Sequence, residues 1–91
     1  MSMQIRIIGR FEIPDRGMHV IAIAPTNQEP IRIHDRFVDE ATGASMTVRW
    51  VDIHTRVVRE GIQYGLAITE SHPGAIQADT VLTKATQERL D

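Results

Sequence analysis

The chain is 91 residues long, with 10 Lys+Arg against 12 Asp+Glu, a formal net charge of −2 and 42% hydrophobic residues. Those figures bound it to one domain with one modest core, and the absence of cysteine excludes a disulfide framework and every thiolate metal site. The slightly acidic balance argues against broad phosphate-backbone binding and leaves only a local basic patch as a route to nucleic acid.

The start, Met1-Ser2-Met3-Gln4-Ile5-Arg6, has neither the apolar core nor the small-residue cleavage pattern of a secretory signal. No run approaches the roughly 18 apolar residues of a membrane span, so the expectation is a cytoplasmic protein with no membrane partner. Nine of the ten basic residues are arginine, Lys84 being the exception. Codon bias accounts for this first and recognition second.

From the N-terminus, Ile5, Ile7, Phe11 and Ile13 alternate with Gln4, Arg6, Arg10 and Glu12. This predicts a strand with one buried face and a bend at Gly9. Pro14-Asp15-Arg16-Gly17 reads as a turn. Met18 to Ala24 is a second strand, more apolar and so more central than the first, and Pro25 to Pro30 a further turn. Ile31, Ile33 and Phe37 alternate with Arg32, His34 and Arg36, predicting a third strand that runs to Val38. Asp39 to Ala44 is a hairpin connection. Ser45 to His54 is the fourth strand, and its apolar set changes phase from Met46, Val48, Trp50 to Val51, Ile53, which places a bulge near Trp50.

Thr55 to Gly61 is ambiguous: Val57 and Val58 suit either a loop or one helical turn. Ile62 to Thr69 is the fifth strand, with Tyr64, Leu66 and Ile68 on one side. Glu70 to Ala75 is a loop around Pro73-Gly74, Ile76 to Thr83 the closing strand, and Ala85 to Asp91 a polar tail. Short strands with turns every eight to twelve residues predict an all-β fold, a small closed antiparallel barrel of six to seven strands. Closure removes the edges an open sheet would expose. The barrel occupies about 4–84 of a single domain spanning 1–91. The polar ending Gln87-Glu88-Arg89-Leu90-Asp91 favours a complete small protein over a fragment of a larger one.

Several segments resemble, in order, the second, β-barrel domain of translational GTPases such as elongation factor Tu. Phe11-x-Ile13-x-Asp15-Arg16-Gly17 is similar to that family's strand–Arg-Gly–strand opening. Ile31-Arg32-Ile33-His34-Asp35 resembles its apolar-x-apolar-Gly-Asp turn, with histidine for glycine. Val51-Asp52-Ile53-His54 resembles the strand before a variable loop, and Gly61-Ile62-Gln63-Tyr64-Gly65-Leu66 a strand carrying a further Gly-Leu. Ile76 to Leu82 resembles the closing isoleucine–x–x–Gly–x–Val–Leu strand, with Asp79 for glycine. The resemblance covers roughly Phe11 to Lys84. It implies a stand-alone barrel of that kind, used as a rigid body or as a surface meeting the ribosome or the end of an aminoacyl-tRNA. The two replaced glycines matter because glycine there permits positive φ or close backbone approach. No G-x-x-x-x-G-K-[ST] motif is present, so the chain has no nucleotide-hydrolysing P-loop.

The chemistry-bearing residues are sparse. His19, His34, His54 and His72 show no i, i+2 strand or i, i+4 helix pairing, so no metal site and no cofactor is implied. Ser71, His72 and Asp79 supply the residue types of a hydrolytic set without a strained nucleophile turn, and no enzymatic activity is expected. Arg32, His34 and Arg36 share the polar face of one predicted strand, with Arg49 on the next, and Arg16 projects from the turn before strand two. The plainer reading of this stripe is a solvated face balanced by Asp39, Glu40 and Asp52. The functional reading is a contact surface for phosphate or a partner carboxylate. Trp50 and Tyr64 both suit the core, leaving RNA stacking weakly supported. If the bulge turns Trp50 outward, it becomes the natural anchor of a protein interface. The expectation is a non-enzymatic binding module for a protein or ribonucleoprotein partner. The alternatives are a structural subunit that self-associates through an open edge, and a small-ligand or metal-binding barrel.

Overall fold

The computed structural model describes residues 3–13, 18–52 and 55–85, the side chains of Ile13 and Met18 excepted. Residues 14–17, the expected turn carrying Arg16, lie outside the described residues, as do Ile53, His54 and residues 86–91. The described residues form eight strands: β1 (Gln4–Ile13), β2 (Met18–Ile23), β3 (Arg36–Val38), β4 (Ser45–Val51), β5 (Arg56–Val58), β6 (Gly61–Gln63), β7 (Gly65–Glu70) and β8 (Val81–Lys84). Six of them close an antiparallel barrel in the order β1-β2-β7-β4-β3-β8, and β8 returns to β1 through Ile5 opposite Leu82. β5 and β6 form a separate two-stranded ribbon. The all-β closed barrel expected from the period-two pattern is the observed fold. No helix of the described residues is long and apolar enough to cross a membrane.

The interior is filled by the inward residues of all six strands, among them Ile7, Ile21, Ile23, Phe37, Met46, Val48, Leu66, Ile68 and Leu82, with Ile76 added from a loop. Two bulges decide which residues these are. In β1 the register shifts between Ile7 and Gly9. One extra residue reverses the parity of everything after it. Ile5 and Ile7 point inward before the bulge, and Arg10, opposite the buried Ile21, points inward after it. Phe11, expected in the core, is therefore turned outward and is 60% exposed. The second bulge, in β4 between Val48 and Trp50, lies where the phase change placed it. It turns Trp50 outward, 59% exposed, and overturns the expectation that Trp50 is a core residue.

Three other segments depart from simple alternation. Ile31 to Asp35 is a turn rather than the first half of a strand: the Asp35 amide donates to the Arg32 carbonyl (3.1 Å), and the Asp35 carboxylate accepts from the Arg32 amide (2.9 Å). An aspartate that satisfies local amides competes with the strand ladder. Ile31 still reaches the core, while Ile33 is exposed. Val57 and Val58 belong to the β5–β6 hairpin, neither to a loop nor to a helical turn. Residues 76–80 precede β8 as a loop, tied to β1 by Asp79 N–H to Ile7 O (2.7 Å) and Ile7 N–H to Thr80 O (2.9 Å).

That loop is clasped from inside the barrel. The Arg10 and Glu70 side chains form an ion pair and are only 11% and 2% exposed. Arg10 Nη1 donates to the Ile76 carbonyl (2.8 Å), and Glu70 Oε2 accepts from the Ile76 amide (3.2 Å). Burial by itself would raise the Glu70 pKa. The hydrogen bond from Arg10, that from the Ile76 amide and the Arg10 charge outweigh it and hold the carboxyl below its usual value. A buried charged pair at the end of an aliphatic core is thereby tied to the loop that covers it.

Candidate binding surface

With both bulges in place, the outer face of four consecutive strands carries an apolar row. Phe11 (β1) is in register with Val20 (β2), Val20 with Ala67 (β7), and Ala67 with Trp50 (β4). At about 4.8 Å per strand, the backbones of Phe11 and Trp50 stand roughly 14 Å apart. The adjacent row is Gly9, Ala22 and Gly65. Large aromatic side chains thus stand at either end of a floor of small ones. Val20 and Ala67 point outward yet are buried. The Phe11 ring leans over its own strand, because a Cβ at Gly9 would lie 3.7 Å from Phe11 Cε2 and 3.9 Å from the Ala22 Cβ.

On one flank the β5–β6 hairpin rises from this floor. A cleft of about 490 Å³ lies between them, lined by Phe11, Ala22, Thr55, Arg56, Gln63, Tyr64 and Gly65. The hairpin is held at its base by reciprocal bonds between Thr26 and Ile62 (3.0 and 2.8 Å) and by Thr55 Oγ1 accepting from the Gly65 amide (3.0 Å). Gly61 permits the close approach: its φ is 135°, and a Cβ there would overlap the Thr26 carbonyl.

The electrostatics of this face are one-sided. Arg36 pairs across β3–β4 with Thr47, which faces Thr69 on β7, and Arg49 Nε donates to Thr69 Oγ1 (3.1 Å). Arg36 donates to Ser45 Oγ (3.3 Å) and Arg56 to Gln63 Oε1 (3.4 Å). Among the described residues none of these three guanidiniums has a carboxylate within ion-pair distance. Three basic residues elsewhere are paired with carboxylates: Arg6 with Asp79 (3.8 Å), Arg10 with Glu70, and Lys84 with Glu29 (2.6 Å) and Asp35 (3.6 Å).

The expected stripe is therefore only half assembled. Arg36 and Arg49 come together about the Thr47–Thr69 pair. Arg32 and His34 do not share their strand, since both sit in the exposed turn that precedes β3. That turn nevertheless lies beside β4, through His34 N–H to Val48 O and Val48 N–H to Asp35 O (2.8 Å each). Arg16 falls outside the described residues. The residues that sequence reasoning missed are Phe11 and Arg56. Ile8-Gly9 interrupting an alternating run was the available signal for Phe11; Arg56 had none, because the β5–β6 hairpin carries no period.

Two other constellations were tested against the geometry. Ser71 Oγ lies 3.0 Å from His72 Nδ1, but the Ser45 amide also donates to that hydroxyl (2.9 Å), and Asp79 pairs with Arg6. No carboxylate orients His72 among the described residues, so the set lacks the third member of a nucleophilic triad. No group of three or more metal-binding side chains converges among the described residues. Comparison with known proteins finds no matching family model, no matching curated protein and no matching solved structure.

Proposed function

We propose that this protein is a non-enzymatic binding module that docks a protein or ribonucleoprotein partner on the outer face of β1-β2-β7-β4. One observation carries this reading: two large aromatics, each turned outward by its own bulge, bracket a small-residue floor rimmed by arginines that have no acidic partner among the described residues. Isolated exposed apolar residues need no explanation, whereas a contiguous apolar patch with a polar rim marks an interaction surface. Tryptophan and arginine are also the residue types most enriched among interface hot spots.

The resemblance to the second domain of translational GTPases is consistent with this module. Among the described residues the non-glycine positions with positive φ are His34 (76°) and Asp79 (70°). Those are the two positions where the resembled pattern has glycine. This supports descent of the backbone from such a barrel, for which a translation-linked partner in the cytoplasm is the corresponding candidate.

The test is affinity capture from native lysate with the tagged protein and with its Trp50→Ala/Phe11→Ala variant, each with and without RNase. The expected result is a partner retained by the wild type and lost by the folded variant. RNase sensitivity identifies a ribonucleoprotein, and RNase resistance a protein alone. Equal capture by wild type and variant would sink the proposal.

A further inference from the structure

We infer that the partner enters as an extended, acidic segment of polypeptide that adds to β5 as a third strand of the β5–β6 ribbon. This rests on the outer face being the binding surface and specifies what the surface takes. In the ribbon Val57 stands opposite Ile62. Both hydrogen-bonding groups of Ile62 are committed to Thr26 on the far side (3.0 and 2.8 Å). In an antiparallel ladder a residue whose N–H and C=O point away from its neighbour belongs to a non-hydrogen-bonded pair, and its opposite number also points away. The N–H and C=O of Val57 therefore face the open side of β5.

The barrel strands each have a neighbour on both sides around the closed circuit, although Gly9–Ile13 of β1 pair with β2 alone, and β6 is backed by the Thr26 bridge. β5 has an open side along its whole length among the described residues, and Val57 is 83% exposed on it. An exposed edge of this kind is the ordinary receptor for an added strand, with backbone hydrogen bonds giving affinity and neighbouring pockets giving specificity. The pocket is present: Arg56 and Thr55 form one wall of the 490 Å³ cleft whose opposite wall is Phe11 and Ala22. An apolar side chain of the incoming strand fits that space.

Charge selects the occupant. Among the described residues Arg56 has only the neutral Gln63 as partner, and Arg49 and Arg36 extend the same sign across the face. Carboxylates on the incoming strand complement them. A nucleic acid offers no alternating N–H and C=O to match Val57. A second copy of this chain paired at Val57 would set the two Arg56 side chains diagonally opposed on one face, a like-charge arrangement that disfavours it.

The experiment is a display selection of random linear peptides on the immobilised protein, followed by measured affinities for wild type, Val57→Pro, Arg56→Glu and Trp50→Ala. Proline is tolerated on an edge whose N–H faces solvent, and the thermal melt of Val57→Pro verifies its fold. Enriched peptides are expected to alternate apolar with Asp or Glu, to bind Val57→Pro at least tenfold more weakly, and to become Lys/Arg-rich when selected on Arg56→Glu. Peptides without acidic bias, or no enriched peptide at all, would overturn the inference. Acidic peptides lost on Trp50→Ala but indifferent to Val57→Pro would overturn strand addition while leaving the surface reading intact. Peptides indifferent to every variant would overturn both.

Discussion

Replacing Glu70 by alanine should be among the most damaging single changes on the polar side of this molecule. The change leaves the Arg10 guanidinium, 11% exposed, without its counter-ion, and strips the Ile76 amide of its acceptor. Removing one partner of a buried pair costs about 3–5 kcal/mol, because the remaining charge keeps its desolvation penalty. A domain of this length has a total stability of about 5–14 kcal/mol. The loss is therefore about a fifth or more of the whole, and at a urea m-value of about 1 kcal/mol/M the midpoint should fall by about 3 M or more. Removing both charges as Arg10→Met/Glu70→Leu should restore most of that loss, since an apolar pair of similar size is often neutral at such a site. The assay is urea denaturation of wild type, both single variants and the double, read as a cycle. A Glu70→Ala cost below about 1 kcal/mol, or single-variant costs that simply add, would refute the clasp. The pH dependence supplies a second arm. The folded-state pKa of Glu70 lies below its ordinary 4.5, so its contribution is complete above that value. It is lost as the pH falls below 4.5 and through the lowered folded value. Glu70→Gln should flatten this part of the stability profile.

Other outcomes are more modest or more local. Trp50→Ala and Phe11→Ala should each change stability by less than about 1 kcal/mol, as half-exposed outward residues do, while weakening partner binding by about 2 kcal/mol or more in a titration. Phe37→Ala should cost about 3–5 kcal/mol by thermal or urea unfolding, since that ring is fully buried in the barrel. His34→Gly should raise stability by up to about 1 kcal/mol, because it relieves a left-handed backbone at φ 76° against the entropy glycine adds to the unfolded chain. Gly61→Ala should detach the hairpin from the Thr26 carbonyl, seen as faster amide exchange at Thr26 and Ile62.

The barrel was legible because period-two alternation is a direct record of which face meets the core, and most strands here keep it. The bulge at Trp50 was legible for the same reason, since two apolar phases met within one strand. The bulge in β1 was harder. Gly9 announced a bend, but only the register with β2 shows that Ile8 is the additional residue and that Arg10, not Phe11, takes the inward position. The turn at Ile31–Asp35 was masked by alternation that continued through it, and what breaks the strand is one side-chain hydrogen bond, which the Asp35 carboxylate accepts from the Arg32 amide. The binding surface was least legible, because it consists of residues whose neighbours lie on other strands. Nothing local distinguishes Phe11 in β1 from Phe37 in β3, yet the first is on the surface and the second at the centre of the core.

The β1 bulge sets two properties of the molecule at once. Deleting Ile8 would remove the unpaired residue and leave both properties in place: Gly9 would follow the inward Ile7 directly, and plain alternation would keep Arg10 inward and Phe11 outward. Straightening the bulge with Ile8 retained would do the opposite, turning Phe11 into the barrel and Arg10 to solvent together. The outer face would then lose an aromatic wall while the inner clasp lost its cation. A one-residue deletion scan of β1 should consequently find its mildest effect at the bulge.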